Sequence, residues 1–222
     1  MKDARTILIT GAAGNLGTVV TKKFLSLNYR VIACVHGQNS FDHSENLLVE
    51  ELNVFDETAC SQFIQRTIEI HGSIDCAALL VGGFAAGKID GMNEAQLLKM
   101  IQLNFLSAQH LFIPLMNHMI ENKMGRIVLA GAQSVFAPSS GTKMSSYVLS
   151  KSLLFKASEL INEAGKNSNV TCSVLSPSTI DTPENRASMP EADFSLWNKP
   201  SDLAQLIVDF CEDRNHQMVL SL

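Results

Sequence analysis

Two patterns of hydrophobic and polar residues alternate along the whole chain. Short apolar runs bounded by turn residues predict strands that are buried on both faces. These runs cover residues 6–10, 31–35, 47–52, 75–81, 126–130, 170–175 and 218–222. Longer segments with an apolar position every three or four residues predict helices. They cover residues 14–27, 57–70, 93–120, 147–164 and 201–211.

The alternation of strands and helices predicts the fold class. We expect one α/β domain over residues 1–222, with a Rossmann-type, doubly wound parallel sheet of about seven strands flanked by helices. A chain of this length can bury a sizeable core and is short for two domains. The sequence shows no internal repeat and no linker rich in Pro or Gly.

Two of the predicted helices, at about 93–120 and 147–164, are apolar on more than one face. A helix that packs on a sheet needs one apolar stripe, so a second apolar face needs another partner. We therefore expect a homodimer or homotetramer that forms through these helices. The alternative is that long loops of the same subunit cover them.

Composition narrows the classes of partner. The net charge is −5 and no cluster of Lys or Arg occurs, which argues against nucleic acid and anionic membranes and favours a small-molecule substrate. No apolar run reaches the ~20 residues that span a bilayer, and no signal-peptide pattern occurs, so we expect a cytoplasmic protein. The five cysteines form no C-x-x-C pair, so neither a disulfide frame nor a metal site is expected.

A glycine-rich turn, TGAAGNLG at residues 10–17, follows the first predicted strand and opens the first helix. In this context Gly11 allows a sharp turn, Gly14 lets the backbone approach a pyrophosphate, and Gly17 permits close packing of helix on sheet. Asn15 and Leu16 lie in the same loop, where the N–H groups at the helix end face an anion. We interpret the loop as a dinucleotide site; a plain βα turn is the alternative.

The residues after the second strand leave the choice between NAD and NADP open. An acidic residue there binds a ribose hydroxyl, and a basic one binds a 2′-phosphate. The stretch 35–40 is neutral, and no Lys or Arg occurs between Arg30 and Arg66. His36 is a candidate phosphate contact, or a solvated loop histidine.

Further cofactor contacts are expected where the later strands end. Asn53 and Val54 follow the third strand, where an adenine would lie. Val81, Gly82 and Gly83 follow the fourth strand, where they would lie under the ribose.

Tyr147 and Lys151 are candidate chemical groups. A phenol with a pKa near ~10 is a poor acid at neutral pH unless a cation stabilises its anion. On a helix Lys151 would lie on the same face one turn on, where its ammonium could lower that pKa and reach a ribose hydroxyl. After a dinucleotide loop, the pair predicts protonation of a carbonyl or imine as hydride arrives.

Together these motifs resemble the short-chain dehydrogenase/reductase family over essentially the whole chain. The resemblance rests on residues 10–17, Asn104, Tyr147-x-x-x-Lys151 and residues 177–182. It implies that Tyr147 donates the proton, Lys151 orients the ribose and Asn104 holds a water of the proton relay. It also implies that a serine polarises the substrate carbonyl, and that the segment after the sixth strand contacts the nicotinamide through Pro177, Ile180 and Thr182.

The family's serine position has two candidates. Ser134 lies thirteen residues before Tyr147, which is the family's usual separation. Counting forward from the strand at 126–130 places Ala132 there instead. If Ala132 occupies the site, the serine role is missing.

Within the family, residues 181–197 and the stretches Gly82-Gly83-Phe84 and 129–132 resemble the quinoid dihydropteridine reductases. The acidic residue that those reductases have after the second strand is absent here. The expected function is an NAD(P)H-dependent reductase of a carbonyl or quinonoid C=N substrate, with a substrate lid at about 183–200. A 3-oxoacyl or other ketone substrate is the first alternative, and a non-catalytic NAD(P)-sensing protein is the second.

Overall fold

The computed structural model describes residues 4–37 and 41–222 and contains one seven-stranded parallel sheet in the order β3-β2-β1-β4-β5-β6-β7. The strands are β1 Thr6–Thr10, β2 Arg30–Val35, β3 Leu47–Glu51, β4 Cys76–Leu79, β5 Gly125–Ala130, β6 Val170–Leu175 and β7 Val219–Leu220. The predicted Rossmann-type fold is confirmed. Because all strands are parallel, their carboxyl ends meet at one edge of the sheet, where ligands bind in such folds.

Eight α-helices connect the strands of the described chain. They are α1 Asn15–Ser26, α2 Glu57–His71, α3 Glu94–Ile101, α4 Ser107–Glu121, α5 Pro138–Gly141, α6 Ser145–Gly165, α7 Pro183–Ser188 and α8 Pro200–Cys211. The predicted helix 93–120 is divided, because a π-helical turn, Gln102–Leu106, separates α3 from α4. The short helices α5 and α7 were not predicted, since neither is long enough to show a helical period.

The fourth strand is shorter than the predicted 75–81. It ends at Leu79, and the next N–H, that of Leu80, donates instead to the side-chain oxygen of Thr10 at 3.1 Å. This bond turns the chain out of the sheet at the carboxyl end of β1. Residues 80–83 therefore leave the sheet beside the glycine loop.

Two apolar layers cover the sheet. Successive side chains of β1 alternate between them: Leu8 belongs to the cluster with α2, α4 and α6, and Ile7 and Ile9 belong to the cluster with α1 and α8. Strands buried in this way on both faces explain the continuous apolar runs of the sequence. All five cysteines are free and buried, as small apolar side chains would be.

Within residues 4–37 and 41–222, every helix is too short or too polar to cross a membrane. The same ranges contain no group of three His, Cys, Asp or Glu side chains that could hold a metal ion.

Candidate active site

The glycine loop forms a tight turn between β1 and α1. Gly11 has φ +64°, which L side chains rarely adopt, and its carbonyl accepts the N–H of Gly14 at 3.0 Å. A Cβ on Gly17 would overlap the backbone of Gly11 and Ala12. The loop thus has the close helix-to-turn packing that the sequence predicted, and Leu16 packs against the apolar cluster on this face.

These residues fit the diphosphate of a dinucleotide. Gly14 and Asn15, at the start of α1, are exposed, so backbone N–H groups at this helix end face the solvent at the carboxyl edge of the sheet. Helix N-termini attract anions because their first N–H groups have no partner within the helix. Gly14 caps α1 without a side chain that would cover these groups.

The other candidate cofactor residues lie at the ends of the neighbouring strands. His36 is exposed directly after β2, and residues 38–40 lie outside the described chain. Asn53 is exposed and its Oδ1 accepts the N–H of Phe55 at 3.1 Å, whereas Val54 is buried. The Val81 side chain lies 3.4 Å from the position that a Cβ on Gly11 would take. The structure therefore brings the glycine loop and the end of β4 together.

Asn104 joins three elements beneath the site. It lies in the π-helical turn and is fully buried. Its Oδ1 accepts the N–H of Gly83 at 2.8 Å, and its Nδ2 donates to Ser150 Oγ at 2.9 Å. Ser150 in turn donates to the carbonyl of Tyr147 at 2.7 Å. π-helical turns are frequent at functional sites, and this one links the loop after β4 to the start of α6.

Lys151 is buried, and its Nζ lies on the same side of Gly82 as Asn104 Oδ1. Its Nζ donates to the carbonyl of Ala130, at the end of β5, at 2.5 Å. A Cβ on Gly82 would lie 2.8 Å from this Nζ and 2.9 Å from Asn104 Oδ1, so any side chain there would force these groups to shift. The Lys151 Nζ lies 6.0 Å from the centre of the Tyr147 ring.

The electrostatics of the pair differ from the sequence prediction. Burial raises the pKa of Tyr147 to about 12 and lowers the pKa of Lys151 to about 8. Burial is the cause of the shift in each group, so the structure does not show the predicted lowering of the Tyr147 pKa by Lys151, and that effect stays a prediction. The phenol keeps its proton throughout the neutral range.

The two serine-position candidates lie in different surroundings. Ala132 is buried and precedes a 3-10 helix, Gln133–Phe136, which contains Ser134. The Ser134 hydroxyl oxygen is buried and has no hydrogen-bond partner among the residues that the structure describes. Such an orphaned hydroxyl is free to donate to a ligand atom. Ser134 thus offers a polar group next to the end of β5, whereas Ala132 offers none.

The segment after β6 is bonded to the loop after β5 and to residue Asn198. The Pro177 carbonyl accepts the N–H of Gln133 at 2.9 Å, and Ile180 pairs with Asn198 in an isolated parallel bridge. Thr182 is buried and caps α7, since its Oγ1 accepts the N–H of Asn185 at 3.2 Å. These bonds fix the segment relative to the loop that contains Ser134.

Comparison with protein families decides the classification. The model of the short chain dehydrogenase family matches residues 5–193. The chain belongs to the short-chain dehydrogenase family. The relatives of this chain include named reductases, and the protein is an NAD(P)-dependent oxidoreductase.

Individual relatives are distant but cover most of the chain. Dihydropteridine reductase from Dictyostelium discoideum is 28% identical and covers 93% of this chain and 87% of its own. Acetoacetyl-CoA reductase from an Acinetobacter strain is 24% identical and covers 82% and 77%, respectively. The solved structure of ElxO with NADP bound matches with a TM-score of 0.87 at 19% identity, over 98% of this chain and 96% of that one. This likeness shows a shared fold.

The predicted lid at 183–200 is anchored in this family member at both ends. Asn15 of the glycine loop donates to Glu184 of α7 at 2.8 Å. At the other end, Asn198 Oδ1 accepts the N–H of Ser178 at 2.7 Å and its hydroxyl at 2.9 Å. The segment therefore lies against the glycine loop at one end and against the segment after β6 at the other.

Inside this segment, aromatic and charged side chains pack on one another. Arg186 donates two hydrogen bonds to Asp181, at 2.5 and 2.8 Å, and lies 4.7 Å from the centre of the Phe194 ring. The Phe194 and Trp197 rings are 4.7 Å apart. The Arg186 side chain holds the pKa of Asp181 below its usual value. Arg186 therefore forms an ion pair with Asp181 inside this segment.

Sequence reasoning missed two site residues. Ser150 connects Asn104 to Tyr147, but a serine inside a helix has no pattern that marks it as a connector. Glu184 bonds to Asn15 across 169 positions of sequence, a contact that only tertiary folding creates. Both residues act through hydrogen bonds whose partners are distant in the chain.

Proposed function

We propose that this enzyme reduces a carbonyl or quinonoid C=N substrate and that Tyr147 donates the proton. The observation that carries the proposal is a protonated phenol next to a buried lysine, at the strand edge where the glycine loop lies. A general acid works best with a pKa near the working pH, so the proposal requires the Lys151 ammonium and the bound cofactor to lower the Tyr147 pKa from its raised value. Ser134, with its unpartnered hydroxyl, is the proposed second donor to the substrate.

The other residues of the site are proposed to bind the cofactor or to position the groups around it. The bound nicotinamide would supply the hydride. Gly11, Gly14, Asn15 and Gly17 are the proposed diphosphate contacts, and Lys151 is the proposed ribose contact. Asn104 holds Gly83 and, through Ser150, the backbone of Tyr147, so it fixes the floor of the site and the proton donor together.

The outer contacts complete the proposed cofactor site. The adenine end is assigned to the strand ends that contain His36, Asn53 and Val54. Val81, Gly82 and Gly83 are assigned to the ribose, and Pro177, Ile180 and Thr182 to the nicotinamide. Either NAD or NADP satisfies these contacts.

Two substrate classes have support. A quinonoid dihydropteridine is favoured by the relative that covers the larger share of this chain, the dihydropteridine reductase. A 3-oxoacyl or other ketone is favoured by the acetoacetyl-CoA and 3-oxoacyl reductases among the relatives. The enzyme should be tested with both substrate classes, each with NADH and with NADPH, by following absorbance of the reduced nicotinamide.

Tyr147→Phe removes the proposed proton donor. We expect this variant to lose activity by on the order of a hundredfold or more, because the phenol proton is gone, while cofactor affinity changes little. Turnover and cofactor titration are measured side by side. Tyr29→Phe is the matched control, since Tyr29 is the second tyrosine and contacts Glu212 at the opposite edge of the sheet.

Unchanged turnover in Tyr147→Phe would remove the phenol from the mechanism. Tight cofactor binding by the parent without turnover of either substrate class would favour the non-catalytic sensing role instead.

We also propose that the enzyme is a homodimer or homotetramer through its long helices. Leu149, Leu153 and Leu160 of α6 and Ile113 of α4 are exposed although they are apolar. They lie within the segments 93–120 and 147–164, for which the sequence predicts a second apolar face. In a single subunit these four side chains remain exposed to solvent. A second copy would remove this surface from water.

A further inference from the structure

Phe84 is an exposed aromatic side chain that touches the proposed proton donor. Its ring is 63% exposed, and its centre lies 5.2 Å from that of the Tyr147 ring. The ring planes are inclined at 66°, an edge-to-face arrangement that aromatic pairs favour. One side of the Phe84 ring is thus packed against the phenol, and much of the rest faces solvent.

The backbone around Phe84 is fixed, so this exposure is a property of the fold. On one side, the N–H of Gly83 donates to Asn104 Oδ1. On the other, the N–H of Gly87 donates to the carbonyl of Lys143, and the Gly87 carbonyl accepts the N–H of Ser145, both at 2.9 Å. The segment between them is therefore docked onto the start of the helix that contains Tyr147.

A hydrogen bond from Gln96 also anchors the segment that contains Phe84. Its Nε2 donates to the carbonyl of Ala86 at 3.1 Å, which fixes the segment from the side of α3. A Cβ on Gly83 would overlap the Leu103 side chain, so the turn before Phe84 is packed closely as well. Because Phe84 touches Tyr147 and lies on an anchored segment, its exposed face is available to a ligand at the proposed site.

We infer that Phe84 forms an apolar wall of the substrate site and selects substrates with a planar ring next to the reacting C=O or C=N group. This inference rests on the proposed function. An atom protonated by Tyr147 lies about 2.8 Å from the phenol oxygen. Substrate groups bonded to that atom then reach the Phe84 ring, which touches the phenol. A flat apolar group gains the most contact area against this ring.

A purely structural role for Phe84 makes a different prediction. If the ring only holds Tyr147 in place, its removal lowers kcat for every substrate alike. If it forms a wall of the substrate site, its removal raises KM for planar substrates and leaves small acyclic ones almost unchanged. The split between KM and kcat therefore separates the two roles.

The test compares two diketones that share the reacting group. 9,10-Phenanthrenequinone is planar, and butane-2,3-dione is small and acyclic. For Phe84→Ala we expect KM for the planar dione to rise about tenfold and KM for butanedione to change less than about twofold. Phe84→Trp should restore the low KM, because it restores a flat ring.

Ile70→Ala is the matched control. Ile70 is 65% exposed, nearly the same as Phe84, but lies in the last turn of α2 at the other edge of the sheet. It should leave both KM values unchanged. Calorimetric titration of each dione into enzyme saturated with oxidised cofactor gives the same comparison as binding constants, independent of turnover.

Two results would overturn the inference. One is a parent enzyme that binds the planar dione no better than butanedione, or binds neither. The other is an equal change for both diones in Phe84→Ala. Failure of the proposed function has a different signature: Tyr147→Phe then reduces the diones as fast as the parent, whatever Phe84→Ala does.

Discussion

At the residue scale, burial sets the pH at which Lys151 loses its proton in the folded protein. Its side chain is almost inaccessible, and desolvation lowers its pKa from 10.5 to about 8. Below pH 8 the lysine is charged in the folded and unfolded states, and the folded state bears the cost of burying the charge. Between about pH 8 and 10.5 the folded state releases the proton first, so this group makes the free energy of unfolding rise with pH.

We therefore predict a pH-dependent stability difference between the parent and Lys151→Met. The variant has no buried charge, so its free energy of unfolding should exceed that of the parent most at pH 7. The difference should shrink as the pH rises through 8 towards 10.5. Urea unfolding at several pH values measures this. Cysteines and tyrosines also titrate in this range, and taking the difference from the parent removes their contribution.

Lys156→Met serves as the control for this experiment. Lys156 lies on the same helix, but its side chain is exposed and pairs with Glu159. The difference in free energy of unfolding between Lys156→Met and the parent should not shrink between pH 7 and 10.5. A Lys151→Met difference that stays constant between pH 7 and 10.5 would contradict the burial argument.

At the element scale, the junction between the glycine loop and α1 sets how closely the helix approaches the sheet. A Cβ on Gly17 would meet the backbone of Gly11 and Ala12, which cannot rotate away as a side chain could. The first helix can start at Asn15 directly above the turn only because this position has no side chain. The geometry of the proposed diphosphate site depends on it.

We predict that Gly17→Ala lowers the free energy of unfolding by roughly 2 kcal/mol or more, because it forces the helix away from the turn. It should also weaken cofactor binding at least tenfold or so, since the N–H groups of the loop move with the helix. Gly91→Ala is the control: a Cβ there meets nothing within 4 Å, and Gly91 has no positive φ. Equal stability of the two variants would refute the packing argument.

At the scale of the whole molecule, the exposed leucines of α6 form the proposed surface of association. Leu160 is 65% exposed, and Leu149 and Leu153 lie on the same helix. A monomer would leave this apolar surface in water. The proposed interface shares α6 with Tyr147 and Lys151, so a change of association can also change turnover.

We predict that Leu153→Glu together with Leu160→Glu converts the oligomer to a monomer, because each introduces a charge into an apolar contact. Light scattering coupled to size-exclusion chromatography measures the mass. Ile70→Glu, an equally exposed apolar position on α2, should keep the parent mass. A parent that is already monomeric at micromolar concentration would rule out the interface.

The sequence by itself determined the number and order of the strands, the glycine turn and the Tyr147–Lys151 spacing, because each follows from a local period or from neighbouring residues. Only the tertiary structure decided the π-helical turn at Asn104, the anchoring of residues 183–200 and the contact of Phe84 with Tyr147. It also decided the direction in which the Tyr147 pKa shifts. These features depend on desolvation and on hydrogen bonds between residues far apart in the chain, and no local pattern encodes them.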